Sequence, residues 1–297
     1  MMQYDLRSSR RSPALWFFSL TLLVAASGIL AAQPVKGRYV EAELISETET
    51  IPPGATFAVA LRLRMDEHWH TYWRNPGDAG MATTIEWELP EGFTADSIQW
   101  PYPETVGEAP ELSYGYNGEV FLIVPITAPA GFQGKEVRLK AKVGWLVCNE
   151  VCIPGKADLA LTIPVSAETP RPNGKWAEAF QRTRAMLPKA MPGYKIAALD
   201  RGEKIEIRIM LREGANRKIP AGLTFFAAAE EVINHSAEQV VRQSGDTTII
   251  ELQRSQFAAE PATQLSGVVH TAADTWDRKN GVKALWIDVP IQAATQP

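Results

Sequence analysis

Phe57-Ala-Val-Ala-Leu-Arg-Leu-Arg64 alternates in polarity: Phe57, Val59, Leu61 and Leu63 share one face of an extended chain, and Ala58, Ala60, Arg62 and Arg64 share the other. Thr84-Ile-Glu-Trp-Glu-Leu89 reads likewise, and Val120-Phe-Leu-Ile-Val-Pro-Ile126 is a more continuously apolar strand. Val137, Leu139, Ala141 and Val143 alternate with Arg138, Lys140 and Lys142. Leu159, Leu161, Ile163 and Val165 then alternate with Asp158, Ala160 and Thr162. Six or seven such strands within about 130 residues predict an all-β fold, an immunoglobulin-like β-sandwich. A smaller barrel is the main alternative. Pro and Gly, 21 of each, punctuate the chain densely, as short strands joined by turns require.

Outward from this block the pattern changes. Thr169-Pro-Arg-Pro-Asn-Gly174 is a linker by composition, followed by Trp176, Phe180 and Leu187 near helical spacing and by Pro188 as a stop. Strands resume from Tyr194, in Lys204–Met210, Leu223–Phe226, Thr247–Leu252, Gly267–His270 and Lys283–Val289. The expected organisation is an immunoglobulin-like domain over residues 36–166, a linker with a short helix over 167–192, a second, smaller β-sandwich-like domain over 193–291, and a tail at 292–297.

Residues 1–32 read as an export signal. Arg7, Arg10 and Arg11 form a positive region ahead of the apolar run Ala14–Ala32, and Ala31 and Ala32 offer a cleavage site, with Leu30 a poor fit to the small-residue pattern. The alternative is an uncleaved anchor. Cleavage removes three positive charges and one negative, taking the net charge from −4 to −6. A mildly acidic exported protein has no electrostatic case for binding nucleic acid.

The chain has two cysteines, Cys148 and Cys152. Export favours a disulfide, and only these two can form one within the chain. A bridge closing so short a loop removes little entropy from the unfolded chain, which makes a redox use better than a staple. Positions four apart on a continuous strand lie about 13 Å apart, too far for a bridge. The chain must therefore bend at Asn149-Glu150-Val151, as at a hairpin tip, with Pro154 and Gly155 as further turn residues. A structural clip and a pair of metal-ligating thiols are the alternatives. Glu150 and the apolar Trp145, Leu146, Val147 and Ile153 favour neutral thiols over thiolates, and Lys156 is the nearest cation in sequence.

The run His68-Trp-His-Thr-Tyr-Trp-Arg-Asn-Pro-Gly-Asp78, with Thr84–Trp87, Leu89–Phe93, Trp100-Pro101, Tyr114–Glu119 and Trp145–Pro154, resembles the amino-terminal periplasmic region of the DsbD/ScsB thiol:disulfide interchange proteins. The resemblance covers most of residues 36–166; in the second half it rests only on Phe225-Phe226 and Val232–Gln239. It implies a periplasmic electron carrier whose immunoglobulin-like domain takes electrons from a membrane-embedded thiol-reductase and passes them to thioredoxin-fold clients. Cys148 and Cys152 would be its redox pair, with Cys152 favoured as the attacking residue. Tyr114 and Tyr116 match the family's aromatic cap, with Trp145 beside the pair; packing of both tyrosines inside the sandwich is the alternative. The family spaces its cysteines more widely in its DsbD branch. Because the sequence stops at Pro297 without a membrane or thioredoxin domain, the donor is expected on a separate chain, the alternative being a standalone relative with a shifted role. No metal or organic cofactor is needed for this chemistry.

Two rivals come from other classes. His68 and His70 would share a strand face, near Met65 and Met81, and such ligands suit copper. An interaction module with a structural disulfide is the other, since fold class alone does not fix function. His235 and His270 lack a catalytic constellation, and His235 reads as structural or solvated.

Overall fold

Among the described residues, eleven strands precede a helix: β1 (Val35–Gly37), β2 (Val40–Ser46), β3 (Thr56–Met65), β4 (His70–Gly77), β5 (Thr84–Glu88), β6 (Thr94–Ala95), β7 (Glu104–Glu108), β8 (Glu111–Asn117), β9 (Glu119–Thr127), β10 (Glu136–Cys148) and β11 (Cys152–Pro164). Helix α1 (Ala177–Met186) leads to β12 (Tyr194–Asp200), β13 (Lys204–Leu211), β14 (Leu223–Ala227), β15 (Val240–Ser244), β16 (Thr247–Gln253), β17 (Gln264–Thr271) and β18 (Ala284–Ala293). The computed structural model describes residue 1 and residues 34–108, 111–215 and 217–293. Residues 2–32 of the expected export signal and 294–297 of the expected tail lie outside the described residues.

The first eleven strands make an immunoglobulin-like sandwich of two sheets, in the orders β1-β2-β3-β9-β6 and β11-β10-β4-β8-β7, with β5 paired to β10. The alternating residues meet between the sheets: Val59, Leu61 and Leu63 of β3 pack with Leu122 and Val124 of β9 and with Leu139, Val143 and Trp145 of β10. A single sheet in the order β14-β17-β18-β12-β13-β16-β15 forms the second β-domain. Phe225 of β14 and Ile250 of β16 share its core, so this sheet curls around its own apolar face. β12 and β15 have no clear sequence pattern, β15 because it is an exposed edge strand throughout.

The outer face of β3 is not the solvent face that its arginines imply. Phe180 of α1 is fully buried there against Ala58, Ala60, Phe121 and Ile123. Arg62, beside them, is buried and bonded to three carboxylates: Glu43 at 2.5 Å, Glu119 at 2.6 Å and Glu41 at 3.0 Å. Burial works against ionisation of Glu41, but the Arg62 hydrogen bond and the Arg64 and Arg62 charges outweigh it and hold its carboxyl below the usual value. A depressed carboxyl stabilises the fold above its unfolded pKa, and that contribution is lost as pH falls through the folded value. Arg62→Met is therefore expected to cost about 3–5 kcal/mol at about pH 7, because it strands buried carboxylates. The difference from wild type should shrink in urea titrations as pH falls through the lowered Glu41 value.

The two domains are joined through packed side chains. Phe226, Val268 and Ala284 of the second domain belong to the same buried cluster as the sandwich core. Tyr102 stacks on His270 at 4.4 Å between ring centres, and Tyr114 meets Phe226 edge-on at 5.0 Å.

Candidate functional site

β10 and β11 form one long antiparallel hairpin, paired from Glu136↔Pro164 to Cys148↔Cys152. The strands thus run to the cysteines themselves, and Asn149-Glu150-Val151 makes the tip, where the Asn149 N–H donates to the Val151 carbonyl. Pro154 and Gly155 lie within β11 and are not turn residues. Pro154 is tolerated because β11 is an edge strand, where a missing N–H costs no ladder bond. Gly155 is required by packing: a Cβ there would overlap the Trp145 indole, which lies across it.

Cys148 and Cys152 are joined by a disulfide, with their Cα atoms 4.1 Å apart. Their environments differ. Cys148 is 2% exposed, whereas Cys152 is exposed on the edge strand, next to the exposed Val151. Inward residues of β10 are the odd-numbered ones, from Val137 to Val147, so Cys148 points to the outer face of its sheet. His70 of β4 is its ladder partner and shares that face. The Tyr72 hydroxyl, two residues along β4, lies 3.7 Å from the Cys152 sulfur. Burial pushes the Tyr72 hydroxyl pKa up and the His70 pKa down, so at neutral pH the phenol keeps its proton and the imidazole is uncharged.

Tyr114 and Tyr116 lie elsewhere. Tyr116 pairs with Thr71, one residue out of phase with His70 and Tyr72, and both tyrosines belong to the buried core. Tyr116 donates to the Pro101 carbonyl at 2.8 Å, and Tyr114 packs edge-on against Trp73, Phe226 and His235. Trp145 is 1% exposed and supports the hairpin from inside without facing the sulfurs. The aromatic ring at the disulfide is Tyr72. Its position two residues from His70, the residue facing Cys148, was the only available sequence signal, and it needed the β4–β10 register to be read.

The two histidines of the His-x-His pair do not share a strand face. His68 has a left-handed backbone (φ 67°) in the turn before β4 and is exposed, while His70 is in the strand. Among the described residues, no group of three His, Cys, Asp or Glu side chains is placed to hold a metal ion. Trp69 stacks on Tyr39 at 3.9 Å, and Trp73 is in the core.

The site is thus an edge hairpin of an immunoglobulin-like sandwich with a disulfide at its tip, one cysteine exposed and the other buried. Residues 41–164 match the family described as "Thiol:disulfide interchange protein DsbD, N-terminal". The first domain is therefore a DsbD-like N-terminal domain of the thiol:disulfide interchange family. The chain is similar in fold to the N-terminal periplasmic domain of ScsB from Proteus mirabilis, at 16% identity and a TM-score of 0.57, over 88% of this chain and 98% of that one. Domains 5–6 of the S-layer protein SbsC (11% identity, TM-score 0.23, 89% of this chain and 100% of that one) and the periplasmic chaperone SfaE (11%, 0.22, 85% and 100%) also match. At such scores they add nothing to the assignment. No curated protein sequence matches the chain.

Proposed function

We propose that this protein is a periplasmic thiol:disulfide interchange protein that carries electrons through Cys148 and Cys152 to thioredoxin-fold clients, and that a membrane-embedded thiol-reductase on a separate chain reloads it. The observation that carries the reading is the asymmetry of the pair: one sulfur exposed at a hairpin tip, the other buried behind it. Exchange requires a sulfur that a partner can approach in line and a second thiol held close enough to resolve the mixed disulfide.

In the reduced protein, the Cys152 thiolate attacks a client disulfide. A mixed disulfide forms and the first client sulfur leaves as a thiolate. Cys148, deprotonated, then attacks the Cys152 sulfur, which releases the second client thiolate and regenerates the Cys148–Cys152 bond. Two electrons pass to the client, whose thiolates take up two protons. The Tyr72 hydroxyl, 3.7 Å from the Cys152 sulfur, would donate to the Cys152 thiolate, and neutral His70, the ladder partner of Cys148, would take its proton. Tyr114 and Tyr116 serve this site as anchors of β8, the strand beside β4. Neither metal nor organic cofactor takes part.

Export through the amino-terminal segment completes this reading. Among the described residues no helix is long and apolar enough to cross a membrane. The test is the reduction potential of the pair in purified protein, by equilibration with glutathione and thiol trapping. A carrier is expected between roughly −270 and −180 mV, whereas a value below roughly −300 mV marks a structural clip.

A further inference from the structure

The end of the sandwich that carries the cysteines also carries a pair of stacked aromatic rings. Tyr39, in the turn between β1 and β2, lies parallel to Trp69, in the turn before β4, at 3.9 Å between ring centres and 9° between planes. The Arg38 guanidinium lies over the Tyr39 ring at 5.3 Å. Backbone bonds tie the two turns together: the Asp66 N–H donates to the Tyr39 carbonyl at 2.9 Å, and the Trp69 N–H to the Asp66 carbonyl at 3.1 Å. Both rings are half-buried, so neither is spent wholly on the core. Among the described residues, three non-glycine residues have a left-handed backbone, and two of them, Tyr39 (φ 63°) and His68 (φ 67°), lie in these turns. That backbone is unfavourable for a bulky side chain and is enriched at binding and catalytic sites.

Strand pairing places this stack beside the disulfide. Cys152 pairs with Cys148, Cys148 pairs with His70, and Trp69 is the residue next to His70. His70 is thus two strands from Cys152, about 10 Å at the usual strand spacing. Even a transient redox interface covers about 600 Å² of each partner, a patch about 28 Å across, so one centred on Cys152 reaches the stack. Val151, next to Cys152, is 60% exposed, more than any other large apolar side chain among the described residues of the first domain. The exposed charges in these turns are of both signs, Arg38 against Glu67 and Glu150, which leaves no single-sign field to draw a partner. Tryptophan, tyrosine and arginine are the side chains that most often anchor an interface.

We propose that Tyr39 and Trp69, together with Val151, form the docking surface for the exchange partner, and that they select a partner with an apolar surface beside its own reactive cysteine. This rests on the disulfide being the redox centre, and deepens that reading by naming what holds the partner in place. The occupant is the partner in the mixed disulfide, because whatever bonds to Cys152 must cover this end of the sandwich. The rings take no part in the chemistry. In the reloading direction, the partner's thiolate attacks the Cys152 sulfur, the sulfur–sulfur bond breaks, and Cys148 leaves as a thiolate that takes up a proton. The partner's second thiol, deprotonated, then releases Cys152, so the partner ends oxidised and this chain reduced by two electrons. Docking raises the rate by keeping the two sulfurs together for longer, an effect mostly on dissociation.

The experiment measures second-order rates of disulfide reduction in the full chain by reduced thioredoxin and by dithiothreitol, for wild type, Tyr39→Gly, Val151→Ser and Phe257→Ser. Tyr39→Gly removes the ring and relieves the left-handed backbone, so the fold is expected to hold. Phe257, 86% exposed between β16 and β17 of the second domain, controls for loss of surface apolarity elsewhere. Thioredoxin rates are expected to fall about tenfold in Tyr39→Gly and in Val151→Ser, the loss typical of an anchoring side chain. Dithiothreitol is too small to use the surface and should react within about twofold of the wild-type rate in both. Phe257→Ser should match wild type with both reductants. Thioredoxin rates unchanged in either docking variant, an equal fall with dithiothreitol, or an equal fall in Phe257→Ser would each overturn the proposal. A second copy of this chain seated on the stack would appear in light scattering as a dimer that Tyr39→Gly dissociates, and would overturn it too. If thioredoxin fails to reduce wild type while dithiothreitol succeeds, the carrier reading falls and the docking surface with it. A normal wild-type rate with insensitive variants removes the docking surface alone.

Discussion

A Cys148→Ser variant should accumulate a stable mixed disulfide with a thioredoxin-fold client, whereas a Cys152→Ser variant should form none. The reason is geometric. Exchange needs the attacking sulfur, the attacked sulfur and the leaving sulfur nearly in line, so the attacking thiolate must emerge from the surface. Cys152 is exposed on an edge strand, and Cys148 is 2% exposed, between β4 and the hairpin tip. Without Cys148 the mixed disulfide loses its tethered resolving thiol, and its lifetime should rise by about 100-fold or more. Non-reducing gels after mixing the oxidised client with each reduced single-cysteine variant give the answer. Equal trapping by both variants, or trapping by Cys152→Ser alone, would reverse the assignment of roles.

Trp145→Ala should lower stability by about 3–5 kcal/mol. Trp145 is 1% exposed and lies on the inner face of β10. Its indole fills the space that Gly155 leaves open on β11 and also approaches Gly37 of β1. Removing it empties the region where the β10–β11 hairpin rests on the sandwich, and neighbours fixed in strands cannot collapse into the gap. Urea denaturation monitored by far-ultraviolet circular dichroism should show a lower midpoint at unchanged slope. A change below about 1 kcal/mol would mean that the hairpin stem is held mainly by its backbone ladder.

Much of the fold was legible because alternation is a local signal. Val137–Val143 and Leu159–Val165 predicted paired strands, and the structure pairs them. The same locality misled where one strand's environment is set by another part of the chain. Arg62 and Arg64 mark a polar face, but α1 covers that face and Arg62 is buried among three carboxylates. Pro154 and Gly155 carry turn chemistry, yet an edge position and a tryptophan on the neighbouring strand place them in β11.

By itself, the sequence determined an all-β protein and the one pair of residues able to form an intrachain disulfide, since periodicity and cysteine count need no knowledge of contacts. The bend between the cysteines also followed, because an extended chain keeps positions four apart beyond bonding reach. Only the tertiary structure decided which aromatic ring meets the sulfur. A one-residue phase along a strand selects its face, and that phase is fixed by the partner strand. This places Tyr72 beside Cys152 and sends Tyr114 and Tyr116 into the core. The same holds for His235, which lies 157 residues from Asp78 in sequence. Domain packing alone brings its imidazole onto the Asp78 carboxylate, at 2.9 Å.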